Sequence, residues 1–77
     1  MSVGYSLDTI VANKLANGRK IGVKLGRVCI DRDISVTAVA KRFKVSRQTI
    51  YNWYTGVYEP SKALTPRIRT YVDSLQA

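Results

Sequence analysis

Within six residues the sequence places Arg47, Gln48, Tyr51 and Asn52. At helical spacing, positions i, i+1, i+4 and i+5 share one face. Arg can bond a guanine edge at two points, and Gln or Asn can do the same for adenine, so this face offers recognition of flat polar edges. Bond-making chemistry is poorly provided for. A nuclease or recombinase needs clustered carboxylates, histidines or metal ligands, and the chain has no histidine and only five Asp and Glu. Asp31 and Asp33 lie two residues apart at the end of a helical pattern and read as a cap and a solvated charge. The single cysteine, Cys29, excludes an internal disulfide framework, and without histidine the Cys/His zinc sites are excluded too. Gly18, Gly22 and Gly26 are not a nucleotide-binding loop, since no Gly-Lys-Ser/Thr follows and no strand precedes. The expectation is a binding protein that is not an enzyme, with no cofactor, no metal and no small-molecule ligand.

Charge points to the partner. Thirteen Lys and Arg against five acids give a formal net charge of +8. Ten of the thirteen fall between Lys14 and Arg47, against Asp31 and Asp33. A basic surface attracts polyanions, because each cation beside a phosphate releases condensed counterions. Charge alone also fits a basic protein with no such partner. Membrane-surface binding fits the charge as well, but no helix pairs aromatics on one face with Lys or Arg on the other. From Met1 onward no apolar run is long enough for a signal peptide or a membrane span, so a cytoplasmic protein is expected.

The elements that position these residues are helices. The 77 residues allow one domain, 1–77. Ser6 can cap a helix over 7–16 with Leu7, Ile10, Val11 and Leu15 on one face, ended by Asn17-Gly18. A second helix is expected over about 20–32, with Ile21, Leu25, Val28 and Cys29 inward and with Gly22 and Gly26 allowing close packing on a neighbour. Asp33 follows where a left-handed residue often sits. Ser35 opens a short helix with Val36, Val39, Ala40 and Phe43 inward. Lys44-Val45 breaks it. Ser46 caps the next helix, with Ile50, Trp53 and Tyr54 inward and Gly56 closing it. A short helical piece is expected at Lys62–Leu64 after Pro60-Ser61. Thr65 caps a last helix over 66–76 that starts at Pro66, with Ile68, Tyr71, Val72 and Leu75 apolar. The fold class is all-α: a compact bundle of about five short helices.

Two short helices joined by a tight break, over 35–53, are a helix-turn-helix. Ala40 is the small residue such a pair needs at its contact, Val45 the apolar plug after the turn, and Ile50 and Trp53 the inward pair of the second helix. At these residues the chain resembles the lambda repressor and Cro-like (XRE-type) family. VSRQTIYNW looks like that family's recognition helix, and the resemblance runs over roughly 20–64, with Gly56 and Pro60-Ser61 included. It implies sequence-specific binding of double-stranded DNA by a small transcriptional regulator of repressor or Cro kind, of a size often phage-encoded. The alternatives are a protein-binding adaptor and a DNA-recognition subunit of a larger complex such as a small terminase.

The resemblance implies base contacts from Arg47, Gln48 and Asn52, then from Ser46, Thr49 and Tyr51. It implies phosphate contacts from Lys41, Arg42, Lys44 and Lys62. Tyr51 stays open between stacking, phosphate contact and surface cover. Three departures matter. Lys44 stands where glycine is usual, so it carries strain if its φ is positive. Val36 replaces a glutamine that helps hold a phosphate, which passes that contact to Thr37 or to the helix's free N–H groups. Cys29 and Tyr54 replace an Arg–Glu pair with a packing contact. The resemblance also implies a homodimer, with the last helix and its approach (Val57, Tyr58, Tyr71, Leu75) as the expected contact and Leu7, Ile10 and Val11 as the rival surface.

Overall fold

The computed structural model describes residues 5–76. Five helices follow in order: α1 (Leu7–Leu15), α2 (Ile21–Asp31), α3 (Val36–Phe43), α4 (Arg47–Tyr54) and α5 (Thr65–Gln76). No strand occurs among the described residues. Serines start three of the helices as expected. The hydroxyls of Ser6, Ser35 and Ser46 accept from the backbone N–H groups of Thr9, Ala38 and Thr49 at 3.2, 3.1 and 3.1 Å, satisfying donors that a helix start leaves without a partner.

Helices α2, α3 and α4 end in one way. Each passes into a left-handed residue, Asp33 (φ 56°), Lys44 (φ 56°) and Gly56 (φ 77°). The next N–H returns to a carbonyl five residues back: Ile34 to Cys29 at 2.9 Å, Val45 to Ala40 at 3.0 Å and Val57 to Asn52 at 3.0 Å. This double-bonded stop fixes the exit direction of each helix.

Two boundaries differ from expectation. Helix α1 stops at Leu15, and Ala16 is extended (φ −74°, ψ 162°), so Asn17-Gly18 lies past the end and supplies no left-handed cap. Thr65 is not the cap of α5. Residues 62–64 form a turn, the Ser61 hydroxyl accepts from the Leu64 N–H at 3.4 Å, and the Thr65 hydroxyl donates to the Ser61 carbonyl at 2.9 Å. Threonine inside a helix bonds back to a carbonyl one turn earlier, which is the role it takes here.

Helix α2 lies at the centre and packs on α1, α4 and α5, while α3 packs on α4. Its two glycines set the distance to α4. A Cβ at Gly22 would stand 2.8 Å from both the Cβ and the carbonyl oxygen of Trp53. One at Gly26 would stand 2.7 Å from Cγ of Tyr54 and 2.6 Å from Nδ2 of Asn13. Around this contact Leu25, Cys29, Val39, Ile50, Tyr54 and Ile68 are fully buried, as is Val23, which the sequence reading did not single out. Trp53 meets Phe43 edge-on with ring centroids 6.3 Å apart, and Phe43 meets Tyr71 at 5.6 Å.

The face of α1 is the main correction. Leu7 and Leu15 are 73 % and 82 % exposed, Val11 is exposed, and only Ile10 of the expected stripe packs against the core. The buried residue of α1 is Asn13. Its amide donates to the Tyr54 carbonyl at 2.7 Å and to the Val23 carbonyl at 3.2 Å. A buried carboxamide is stable when its donors are satisfied, and here those bonds attach α1 to α2 and α4 together. Tyr5, just ahead of α1, was not foreseen either. It is buried, its hydroxyl donates to the Ile34 carbonyl, and its ring lies 6.1 Å from that of Tyr54. Burial pushes the Tyr5 phenol up from 10.0 to about 12, and pushes Tyr54 and Cys29 up as well.

Two outcomes follow for stability. Gly22→Ala should destabilise by about 1–3 kcal/mol, the usual cost of overpacking, despite the better helix propensity of alanine. Urea unfolding followed by circular dichroism measures this, and a gain in stability would refute the close approach. The tyrosines set a base limit. The unfolded phenol ionises near 10.0 and folded Tyr5 near about 12. The unfolded state therefore loses its proton first, and the stability present below pH 10 falls as pH rises toward 12. The melting temperature should drop across that window, and less steeply in Tyr5→Phe.

Candidate nucleic-acid interface

Helix α4 turns Ile50, Trp53 and Tyr54 inward. The opposite side is set by the same period. Arg47 and Gln48 are exposed in the first turn, Tyr51 and Asn52 are half-buried one turn on, and Ser46 and Thr49 sit at the entrance. Ser46 and Thr49 share a hydroxyl–hydroxyl bond of 2.9 Å in addition to the cap, so their polar groups are committed to holding the helix start. Gln48 and Asn52 are joined. The Gln48 Nε2 donates to Asn52 Oδ1 at 3.1 Å across one helical turn. This leaves the Gln48 oxygen as an acceptor and the Asn52 NH2 as a donor. An acceptor and a donor side by side are the set that the N6 and N7 edge of adenine requires. Tyr51 packs one side against the core, and its carbonyl accepts from the Thr55 hydroxyl at 2.8 Å.

Helix α3 supports this face. Val36 is buried and Thr37 exposed at the start of α3, so the residue standing in for the usual glutamine points inward and its neighbour is the one free to meet a phosphate. Ala40 is buried at the contact of the two motif helices, and Val45 packs against the core just past the turn. Lys44 between them is left-handed, with φ 56° and ψ 46°, and its side chain is exposed beside exposed Lys41. Arg42 is also exposed, but its guanidinium lies 4.4 Å from the ring centre of Tyr71 on α5. Lys62 is exposed in the turn before α5. Arg47, Gln48, Tyr51 and Asn52 are thus gathered on one helix, whereas Thr37, Lys41, Arg42, Lys44 and Lys62 lie on other elements: on α3, in the turn after it and in the turn before α5. Where the family resemblance set an Arg–Glu pair, Cys29 and Tyr54 are both fully buried in the core.

Sequence reasoning missed two basic residues that hold the frame of this face. The Lys20 Nζ donates to the Gly56 carbonyl at 3.0 Å, at the end of α4. The Arg27 Nη2 donates to the Ala16 carbonyl at 3.1 Å, at the end of α1. Cations suit helix carboxyl ends, yet each partner is distant in sequence and no local pattern announces it.

A family model described as the Cro/C1-type HTH DNA-binding domain matches residues 24–63, just over half of the chain. No curated protein and no solved structure matches.

The left-handed backbone at Lys44 makes a direct test. Glycine adopts this conformation without the steric cost that a Cβ brings. Lys44→Gly should therefore stabilise the fold by up to about 1 kcal/mol, measured as a rise in the urea midpoint at constant slope. A lower midpoint would show that the side chain contributes more than its backbone strain costs.

Proposed function

The chain belongs to the Cro/C1-type helix-turn-helix DNA-binding family, and we propose that it binds duplex DNA sequence-specifically as a small transcriptional regulator of repressor kind, with the whole chain acting as one unit. The observation that carries this reading is the outward face of α4, where Arg47 stands next to the bonded pair Gln48–Asn52. The amino end of the second motif helix is the end that enters the major groove. In this reading Arg47, Gln48 and Asn52 read bases, with Ser46, Thr49 and Tyr51 at the margin. Thr37, Lys41, Arg42, Lys44 and Lys62 hold the backbone, which sets register without reading sequence. Such contacts need no catalytic group and no cofactor.

The proposed working form is a homodimer on two half-sites about one helical turn apart, since one short recognition helix spans only a few base pairs. Two apolar surfaces are candidates for its contact, the outer side of α1 and the approach to α5. Leu7, Val11 and Leu15 are exposed, as are Val57 and Tyr58, while Tyr71 and Leu75 are packed against the core. No helix among the described residues is long and apolar enough to cross a membrane, and the proposed setting is the DNA in the cytoplasm.

The test is affinity for a site selected from random duplexes and for random duplex, at fixed salt. Gln48→Ala removes no charge, so it should reduce the preference for the selected site by about 1–3 kcal/mol while random binding falls less. An unchanged ratio removes Gln48 from base reading. With about six phosphate contacts, raising salt from about 50 to 200 mM should weaken random-duplex binding on the order of a thousandfold. A chain that binds no duplex is the outcome an adaptor role requires.

A further inference from the structure

Beyond the carboxyl end of α4 lies an open groove of about 310 Å³. Four cations from different parts of the chain line it: Arg19 ahead of α2, Lys24 on α2, Lys62 in the turn before α5 and Arg69 on α5. Glu59 is the one carboxylate on its walls. Among the described residues the four cationic side chains have no hydrogen bond or ring contact, whereas Lys20, Arg27, Arg42 and Arg67 are all engaged. Like charges brought together without partners repel, so their convergence favours an incoming anion. The amino ends of α2 and α5 border the same groove through Ile21 and Thr65, and their dipoles add to its positive potential.

The position selects the anion. An eight-residue helix such as α4 is about 12 Å long, roughly the width of the major groove. The strands border that groove on both sides, so with the amino end of α4 inserted, the segments flanking α4 are the ones beside the sugar-phosphate backbone. Lys20, bonded to the Gly56 carbonyl, ties the start of α2 to that end. We propose that the groove between α2 and the start of α5 seats a phosphodiester of the bound duplex, a backbone contact separate from the base-reading face; this rests on the DNA-binding reading above. Arg19 and Arg69 lie outside the family match at 24–63, so the contact extends the interface past the shared motif.

The experiment is the salt dependence of random-duplex binding by the full chain. Arg19→Ala, Lys24→Ala and Arg69→Ala alter exposed side chains, and Arg32→Ala, exposed at the far end of α2, is the control with the same loss of charge. Each groove variant that loses a phosphate contact should lower the slope of log affinity against log salt by up to about 0.9, and weaken binding about fivefold to tenfold near 0.1 M salt. Selected and random duplexes should weaken by the same factor. Groove variants that match Arg32→Ala in slope overturn the proposal while leaving DNA binding intact. Groove variants that lower the preference for the selected site also overturn it, since they would then be reading bases. A wild-type chain that binds no duplex overturns the DNA reading and the groove with it.

Discussion

The rest of the structure depends on the close approach of α2 and α4 at Gly22 and Gly26. With no Cβ between them, the helices meet at main-chain distance, the side of a glycine lying against Trp53 and Tyr54. That contact fixes the rotation of α4 about its own axis. Once Trp53 and Tyr54 are pressed against α2, the helical period leaves Arg47, Gln48, Tyr51 and Asn52 on the other side. The polar face is thus set by a packing constraint on residues that take no part in it. Core side chains fill the remaining volume around the contact, and α3 and α5 close it from either side.

Polar bonds inside the core complete what the glycines begin. Asn13 reaches one carbonyl on α2 and one on α4, and Tyr5 reaches Ile34 in the link between α2 and α3. No buried polar side-chain atom lacks a partner among the described residues. Such bonds are directional, and each adds little net stability while an unmade one costs more. Their effect here is to choose one seating for α1, which apolar burial alone does not do, since most of its apolar residues face outward.

The helix-turn-helix was legible because its signals are local. Serine caps, a helical period of apolar residues and a break at Lys44-Val45 all lie within twenty residues, and the structure has α3 and α4 where those signals set them. The left-handed position at Asp33 was legible for the same reason, as was Gly56 as the residue that closes α4. Lys44 was legible as a turn but not in the sign of its φ, because lysine has no strong preference that would announce it. The seating of α1 was not legible. A stripe of Leu7, Val11 and Leu15 reads as an inner face, and an asparagine reads as an outer residue, until the carbonyls it bonds are known from the fold. Thr65 was misread because Ser61 and Thr65 carry the same kind of hydroxyl, and only the geometry shows which of them caps. The polar face of α4 was legible as a pattern of residue types. The bond between Gln48 and Asn52 was not, since it depends on rotamers.

The single cysteine gains a use from where it sits. Cys29 is fully enclosed in the last turn of α2, with its thiol held in the protonated form by burial. An oxidant or alkylating reagent needs the exposed thiolate, so it reaches this sulfur only when α2 parts from α4 and α5. The molecule therefore carries one chemical clock for its own opening. Its labelling rate reports how often the centre of the bundle is breached.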